Sequence, residues 1–171
     1  GLARHLDDTD DGASGGTITS KVSIGTGHTN TGAHAFIAGE NNMAGGHYST
    51  IGGGFTNMAL GHYSAIGGGS NNVTSSAFGA VGGGTVNDAS GEGATVGGGV
   101  NNSASGITSA IAGGYLNQAF GSESTVGGGV RDTASGEQST VSGGADNVAS
   151  NTYSTVSGGR YNKALGLSST V

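Results

Sequence analysis

The sequence predicts an all-β fold: a parallel β-roll, or β-solenoid, with about 15 residues in each turn, which we call a rung. Three observations predict it. A β-branched residue recurs at every fifteenth position, paired glycines follow it at a fixed offset, and the residues between alternate between two faces. A fixed short period with recurring glycines is typical of one structural unit per repeat, stacked on its neighbours.

The β-branched residue is numbered position 1, and the 15-residue repeat is unbroken from 51 to 171. Positions 3 and 4 are Gly in all eight repeats, position 9 is Ala except at Thr74, and position 11 is Gly except at Ser76 and Asn151. A helical repeat is excluded because each Gly costs about 1 kcal/mol against Ala in a helix. Position 1 is the predicted core: Ile51, Ile66, Val81, Val96, Ile111, Val126, Val141 and Val156.

The chain divides into an acidic, non-repeat lead-in at 1–21 and a β-roll domain at 22–171, with irregular rungs at 22–50 and regular rungs at 51–171. The irregular intervals are thirteen residues from Ile24 to Ile37 and fourteen from Ile37 to Ile51. In the lead-in, DDTDDG resembles the start of a calcium loop, but Thr9 and Ile18 stand where ligands are needed. We interpret it as a solvated acidic segment, with calcium binding as the alternative.

Position 7 is predicted to form a structural ladder. Stacked rungs about 4.8 Å apart place each residue over its own copy, so the side-chain amides can bond along the column. Asp132 is expected to be a tolerated exception. The members are Asn57, Asn72, Asn87, Asn102, Asn117, Asp132, Asn147 and Asn162.

A single chain buries too little apolar surface to offset the cost of ordering its backbone. Ordering fifteen residues costs on the order of 15 to 30 kcal/mol, whereas burying one Val contributes roughly 1.5 to 3 kcal/mol. Positions 15 and 2 form an uncharged face of small residues, while positions 8 and 10 admit charge and are predicted to face solvent. The small face is the predicted interface between copies in a closed oligomer: Ala65, Ala80, Thr95, Ala110, Thr125, Thr140 and Thr155.

The segment SESTVGGGVRDTASGEQSTVSGGADNVASNTYSTVSGG at 122–159 resembles the YadA-like head repeats of trimeric autotransporter adhesins, and the resemblance covers about 22–171. It implies a left-handed β-roll, a homotrimer and an extracellular or cell-surface location. Similar repeats also occur in phage and viral fibres, so a virion fibre or spike is the alternative. A monomeric ice-binding solenoid, suggested by the Thr residues of position 15, is a third and weaker alternative.

Composition bounds the remaining classes. The formal net charge is -6 with five Lys and Arg residues, so we expect no nucleic-acid binding. There is no Cys and no apolar run of membrane-spanning length, so neither a disulfide framework nor direct membrane insertion is expected. GASGG at 12–16 matches a nucleophile motif by composition alone, so we expect no enzyme activity, cofactor or metal site.

Aromatic and imidazole residues cluster on one predicted corner, at positions 12 and 13 of successive rungs. Rigid rings serve as anchors in protein interfaces, and three copies would add avidity. The predicted partner is a host surface, a glycan or a matrix protein; in the alternative, the rings only cover the neighbouring rung. The candidate binding patch is His34, His47, Tyr48, His62, Tyr63 and Phe78.

Overall fold

The structure is a computed structural model that describes residues 21–171, so all but the last residue of the acidic lead-in at 1–21, including the calcium-loop-like DDTDDG, lies outside the described residues. The described residues form strands and no helix. In chain order the strands are β1 Val22–Thr26, β2 Thr29–Asn30, β3 Phe36–Glu40, β4 Met43–Ala44, β5 Thr50–Ile51, β6 Met58–Ala59, β7 Ala65–Ile66, β8 Val73–Thr74, β9 Ala80–Val81, β10 Asp88–Ala89, β11 Thr95–Val96, β12 Ser103–Ala104, β13 Ala110–Ile111, β14 Gln118–Ala119, β15 Thr125–Val126, β16 Thr133–Ala134, β17 Thr140–Val141, β18 Val148–Ala149, β19 Thr155–Val156 and β20 Lys163–Ala164.

The odd-numbered strands form one ten-stranded parallel sheet and the even-numbered strands a second. From β5 onward every strand pairs with its copy fifteen residues along the chain, as in the pairing of Thr50 with Ala65. Single parallel bridges at position 5 add a third line of contact between rungs. The predicted parallel β-solenoid with about 15 residues per turn is therefore confirmed, with about ten rungs.

The alignment of the irregular rungs needs one correction. Ser23, and not Ile24, pairs with Ile37, so the first interval is fourteen residues, like the second. Ile24 is 55% exposed because the alternation of strand β1 turns it outward. Each short rung lacks one residue of the Gly turn, so β1 and β3 continue for five residues where the regular strands have two.

The interior holds one residue from each of five positions per rung. The β-branched residues of position 1 from Ile51 to Val156 are 0–2% exposed. Ala of position 9 and Gly of position 11 are buried opposite them, together with the position 7 ladder and the Ser residues of position 14. This core is narrow because its side chains are small, so the hydrogen bonds between rungs carry much of the cohesion.

In one rung, a larger residue at one interior position is compensated by a smaller residue at another. Thr74 replaces Ala at position 9, and Gly79 replaces Ser at position 14 of the same rung. A Cβ at Gly79 would lie 3.4 Å from Cβ of Thr74 and 2.9 Å from the carbonyl oxygen of Ala89. The missing side chain of Gly79 therefore leaves the room that the larger Thr74 occupies, as close packing requires.

The corners of the rung are built from left-handed backbone. Position 4 is always Gly, whereas positions 6 and 13 carry mostly other residues with φ between 51° and 61°. Residues other than Gly, Asn and Asp adopt this region at a cost of about 1 to 2 kcal/mol. The corners thus place unusual residue types, including rings, on outward-facing turns.

No helix among residues 21–171 is long and apolar enough to cross a membrane.

Candidate functional site

The rings of position 13 form a continuous stack along one corner. The ring centroids of His34 and Tyr48 lie 4.9 Å apart, those of Tyr48 and Tyr63 5.0 Å, and those of Tyr63 and Phe78 5.4 Å. The ring planes are within 12° of parallel. The spacing is close to that of parallel strands, because each ring is carried by the same left-handed corner one rung further on.

This ring column is half exposed. Tyr48, Tyr63 and Phe78 are 49%, 55% and 58% exposed. Because the ring faces cover one another, mainly their outer edges remain for a ligand. The column ends at Phe78, since the next residue at this position is Gly93. Tyr153 lies at the same corner further along, 54% exposed and outside the stack.

A second column of imidazoles runs beside the ring column at position 12. The rings of His47 and His62 are stacked with centroids 4.8 Å apart and planes 2° from parallel. Nδ1 of His62 accepts the main-chain N–H of His47 at 3.2 Å, and Nδ1 of His47 accepts that of Ala33 at 3.1 Å. These bonds assign the neutral tautomer with the proton on Nε2.

That tautomer disfavours a metal bridge between the two imidazoles, because a protonated Nε2 is a donor and not a ligand. Within residues 21–171 no three His, Cys, Asp or Glu side chains are grouped to hold a metal ion. The structure places the six predicted patch residues in two adjacent stacks. These stacks can contact a partner through ring edges and N–H groups.

The position 7 column is a ladder between side chains and backbone. Oδ1 of Asn57 accepts the main-chain N–H of Asn72 at 3.0 Å. Nδ2 of Asn57 donates to Gly53 O at 3.2 Å and to Gly69 O at 2.9 Å, one carbonyl in its own rung and one in the next. Direct bonds between amides join Asn57 to Asn72 and Asn87 to Asn102, both at 3.1 Å. Each amide thus closes the Gly turn and links two rungs.

The ladder begins before Asn57, the first member predicted from the sequence. Oδ1 of Asn42 accepts the main-chain N–H of Asn57 at 2.8 Å, and Nδ1 of His28 accepts that of Asn42 at 3.3 Å. Asn42 is missing from the predicted ladder because the fourteen-residue rung shifts it out of the fifteen-residue register. Aligning the phrase ENN at 40–42 with SNN at 70–72 would have found it.

The predicted small-residue face lies on the outer side of the odd-numbered strands. Ala65, Thr95 and Thr125 are exposed, and the other predicted members, Ala80, Ala110, Thr140 and Thr155, are half-buried within the single chain. The position 3 glycines continue this surface. A Cβ at Gly53 or Gly68 would meet no atom within 4 Å.

Two exposed groups of residues, at positions 5 and 6, were not predicted from the sequence. Phe55, Val100 and Tyr115 of position 5 are 46%, 43% and 45% exposed. Further along, Arg131 pairs with Asp146 of the next rung, with Nε to Oδ1 at 2.6 Å and Nη2 to Oδ2 at 2.9 Å. The signal for the pair was opposite charges fifteen residues apart.

The ion pair shifts the protonation of both its members. The hydrogen bonds from Arg131 hold the pKa of the Asp146 carboxyl below its ordinary value, and the same carboxylate raises the pKa of Arg131. Both groups therefore stay charged over a wider pH range than they would alone.

No family model matches the chain, and no curated protein matches it.

Proposed function

We propose that this chain is a segment of an extracellular trimeric fibre: a structural rod like an adhesin head, which also carries a surface-attachment patch. The observation that carries the proposal is the position 3 glycine column. It repeats in every regular rung, and from Gly53 to Gly113 the single chain supplies no steric reason for it, whereas Gly128, Gly143 and Gly158 have φ angles of 139°, 151° and 149° that favour glycine. The resemblance to trimeric adhesin heads supports three copies, a left-handed coil and a location on the cell surface or, as the alternative, on a virion.

The position 3 glycine column leaves room for the close approach of a partner. From Gly53 to Gly113 its φ angles lie outside the left-handed region, and a Cβ would be at least 3.8 Å from other atoms of the chain. Glycine in such a segment costs roughly 0.5 to 1 kcal/mol relative to Ala. Close approach of another backbone supplies a reason for it. A partner that contacts position 3 in every rung must repeat with the same spacing as the rungs. A second copy of this chain has that spacing.

The attachment role rests on the ring column and the imidazole pair. Rigid, half-exposed rings lose little conformational entropy when a partner covers them. Three copies around a trimer would present three such columns, so weak single contacts would add up. The partner class is a host surface, a glycan or a matrix protein.

Assembly is tested by measuring mass in solution. We expect three 16.2 kDa chains per particle. Ala110→Glu should abolish assembly by placing a charge from each copy in a dry seam, whereas Gln118→Glu, on the exposed outer side of β14, should assemble normally. A monomer would refute the trimer and favour the ice-binding alternative, and equal assembly of both variants would refute the choice of face.

Attachment is tested on the same particles with Tyr48, Tyr63 and Phe78 all changed to Ser. The variant should keep its mass and melting temperature and lose binding to host cells, glycan arrays or matrix proteins. Tyr153→Ser is the matched control, because it removes a ring of similar exposure from the same corner outside the stack. Unchanged binding by the folded triple variant would end the attachment proposal, and loss of folding would show that the rings serve packing.

A further inference from the structure

Asp132 takes a place in the position 7 ladder that requires a hydrogen-bond donor. The side chain is fully buried, and its Oδ1 accepts the main-chain N–H of Asn147 at 2.8 Å, as an Asn would do. Its second oxygen, Oδ2, has no hydrogen-bond partner in the described part of the chain. One half of this side chain therefore fits the ladder and the other half does not.

The position of Oδ2 explains the mismatch. In the other rungs from Asn42 to Asn162 the amide nitrogen lies 2.5–2.9 Å from where a Cβ of the position 4 glycine would be. Oδ2 of Asp132 stands in that place beside Gly129. At the equivalent site one rung further on, Nδ2 of Asn147 donates to Gly143 O at 3.0 Å and to Gly159 O at 2.9 Å. By the same register the carbonyls that face Oδ2 are those of Gly128 and Gly144.

Three oxygens with no proton between them repel one another, and burial keeps water from separating them. We propose that Asp132 is a pH-dependent rung of the ladder: protonated, its Oδ2–H donates to one of these two carbonyls and closes the Gly turn; ionised, it leaves the turn open. The device goes beyond the proposed fibre function and does not depend on it.

The surrounding charges do not stabilise the carboxylate. Asp146, one rung further on, disfavours a second negative charge nearby, and Arg131 is already bound to Asp146 through two hydrogen bonds. Arg160 lies 3.6 Å from the same Asp146 carboxylate. Along the ladder the neighbours are the uncharged Asn117 and Asn147. Burial is the main cause that raises the pKa of the Asp132 carboxyl, and it outweighs the main-chain and side-chain hydrogen bonds from Asn147, which lower that pKa.

The direction of the stability effect follows from linkage. Below the ordinary pKa of 3.8 the carboxyl is protonated in both folded and unfolded chains, and the rung is complete. As the pH rises from there through the raised folded pKa, ionisation favours the unfolded chain and stability is lost. The loss is then constant at higher pH.

The test compares the parent chain, residues 1–171, with its Asp132→Asn variant at equal protein concentration. We expect the variant to melt a few degrees higher at pH 7 and equally below pH 3.8, because an amide supplies the missing donor at every pH. Asn147→Asp is the matched control, since it puts the same acid into the next rung. It should melt lower than the parent at pH 7 and recover in acid.

A direct reading comes from the ¹³C shift of the Asp132 carboxyl during an NMR titration. The midpoint should lie above the ordinary value. A midpoint at or below it, or equal melting of the parent and Asp132→Asn at pH 7, would overturn the proposal. So would a rise in melting temperature on adding NaCl or CaCl₂ at pH 7 that the parent shows and Asp132→Asn does not, because a cation would then fill the slot instead of a proton.

Discussion

Two columns of glycine run through the regular rungs of this solenoid for opposite reasons. At position 11 the glycines up to Gly136 are buried, and a Cβ at Gly106 would overlap the carbonyl oxygen of Gly121 in the next rung. At position 3 a Cβ at Gly98 would be 3.9 Å from its nearest neighbour. The same residue at the same period therefore marks close stacking within the chain in one column and open surface in the other.

Two rungs carry a side chain at position 11. Ser76 is half-buried and its Oγ donates to Ser90 O at 2.5 Å, while Asn151 is exposed and its Nδ2 donates to Leu165 O at 3.1 Å. Each side chain leaves the interior and forms a bond to the next rung. Position 11 therefore accepts a Cβ at these two rungs, where each side chain gains a hydrogen-bond partner in the next rung.

The largest effect is expected from Gly106→Ala. The added methyl group meets backbone and not a flexible side chain, so the two rungs must separate locally. We expect a loss of about 3 kcal/mol in the free energy of unfolding, at the upper end of overpacking costs. Denaturant unfolding measures it. Stability equal to that of the parent would show that the rungs can move apart at little cost.

Gly98→Ala is the matched substitution in the open column. The chain itself should fold as before, with a gain of about 0.4 to 1 kcal/mol from the restricted unfolded state. If copies pack against this column, assembly should weaken by about 1 to 3 kcal/mol through overpacking of the interface. Sedimentation over a range of concentrations measures the change. Unaltered assembly would place the interface elsewhere on the rung.

The smallest effect concerns corners where glycine is absent. Val86 holds φ at 57° although it is β-branched, and Asn, which occupies the same position at Asn71 and Asn101, tolerates this region. Val86→Asn should therefore gain about 1 kcal/mol. Val100→Asn is the control, since Val100 is similarly exposed and does not have a positive φ. Equal melting shifts for the two variants would show that backbone strain is not the cause.

Much of the fold was predictable because the chain repeats itself. The spacing of Ile51, Ile66 and Val81 predicts which residues stack, and the structure buries all three. The thirteen-residue interval at Ile24 was wrong because hydrophobicity alone was used to align it, whereas strand alternation puts Ser23 inside. Asn42 was missed for a related reason, since one absent residue in the Gly turn moves it out of register.

For the candidate site, too, one part was predictable from the sequence and another part was not. The sequence places His34, Tyr48 and Tyr63 on one corner, because equivalent positions of a solenoid lie above one another. It could not show that the ring faces cover each other, or that the imidazole Nδ1 atoms are occupied by main-chain N–H groups, because both depend on side-chain orientation. The exposed column of Phe55 and Tyr115 was missed because its residue types vary from rung to rung.

The sequence by itself determined the period, the parallel stacking and the residues that share a column, since a regular repeat superimposes each position on its copy. Only the tertiary structure decided what each column meets. The path of the corners turns the glycine of position 11 towards the next carbonyl and that of position 3 towards open space, and it places Oδ2 of Asp132 where the other rungs have an amide nitrogen. These are properties of distance and direction, which composition and spacing along a chain do not contain.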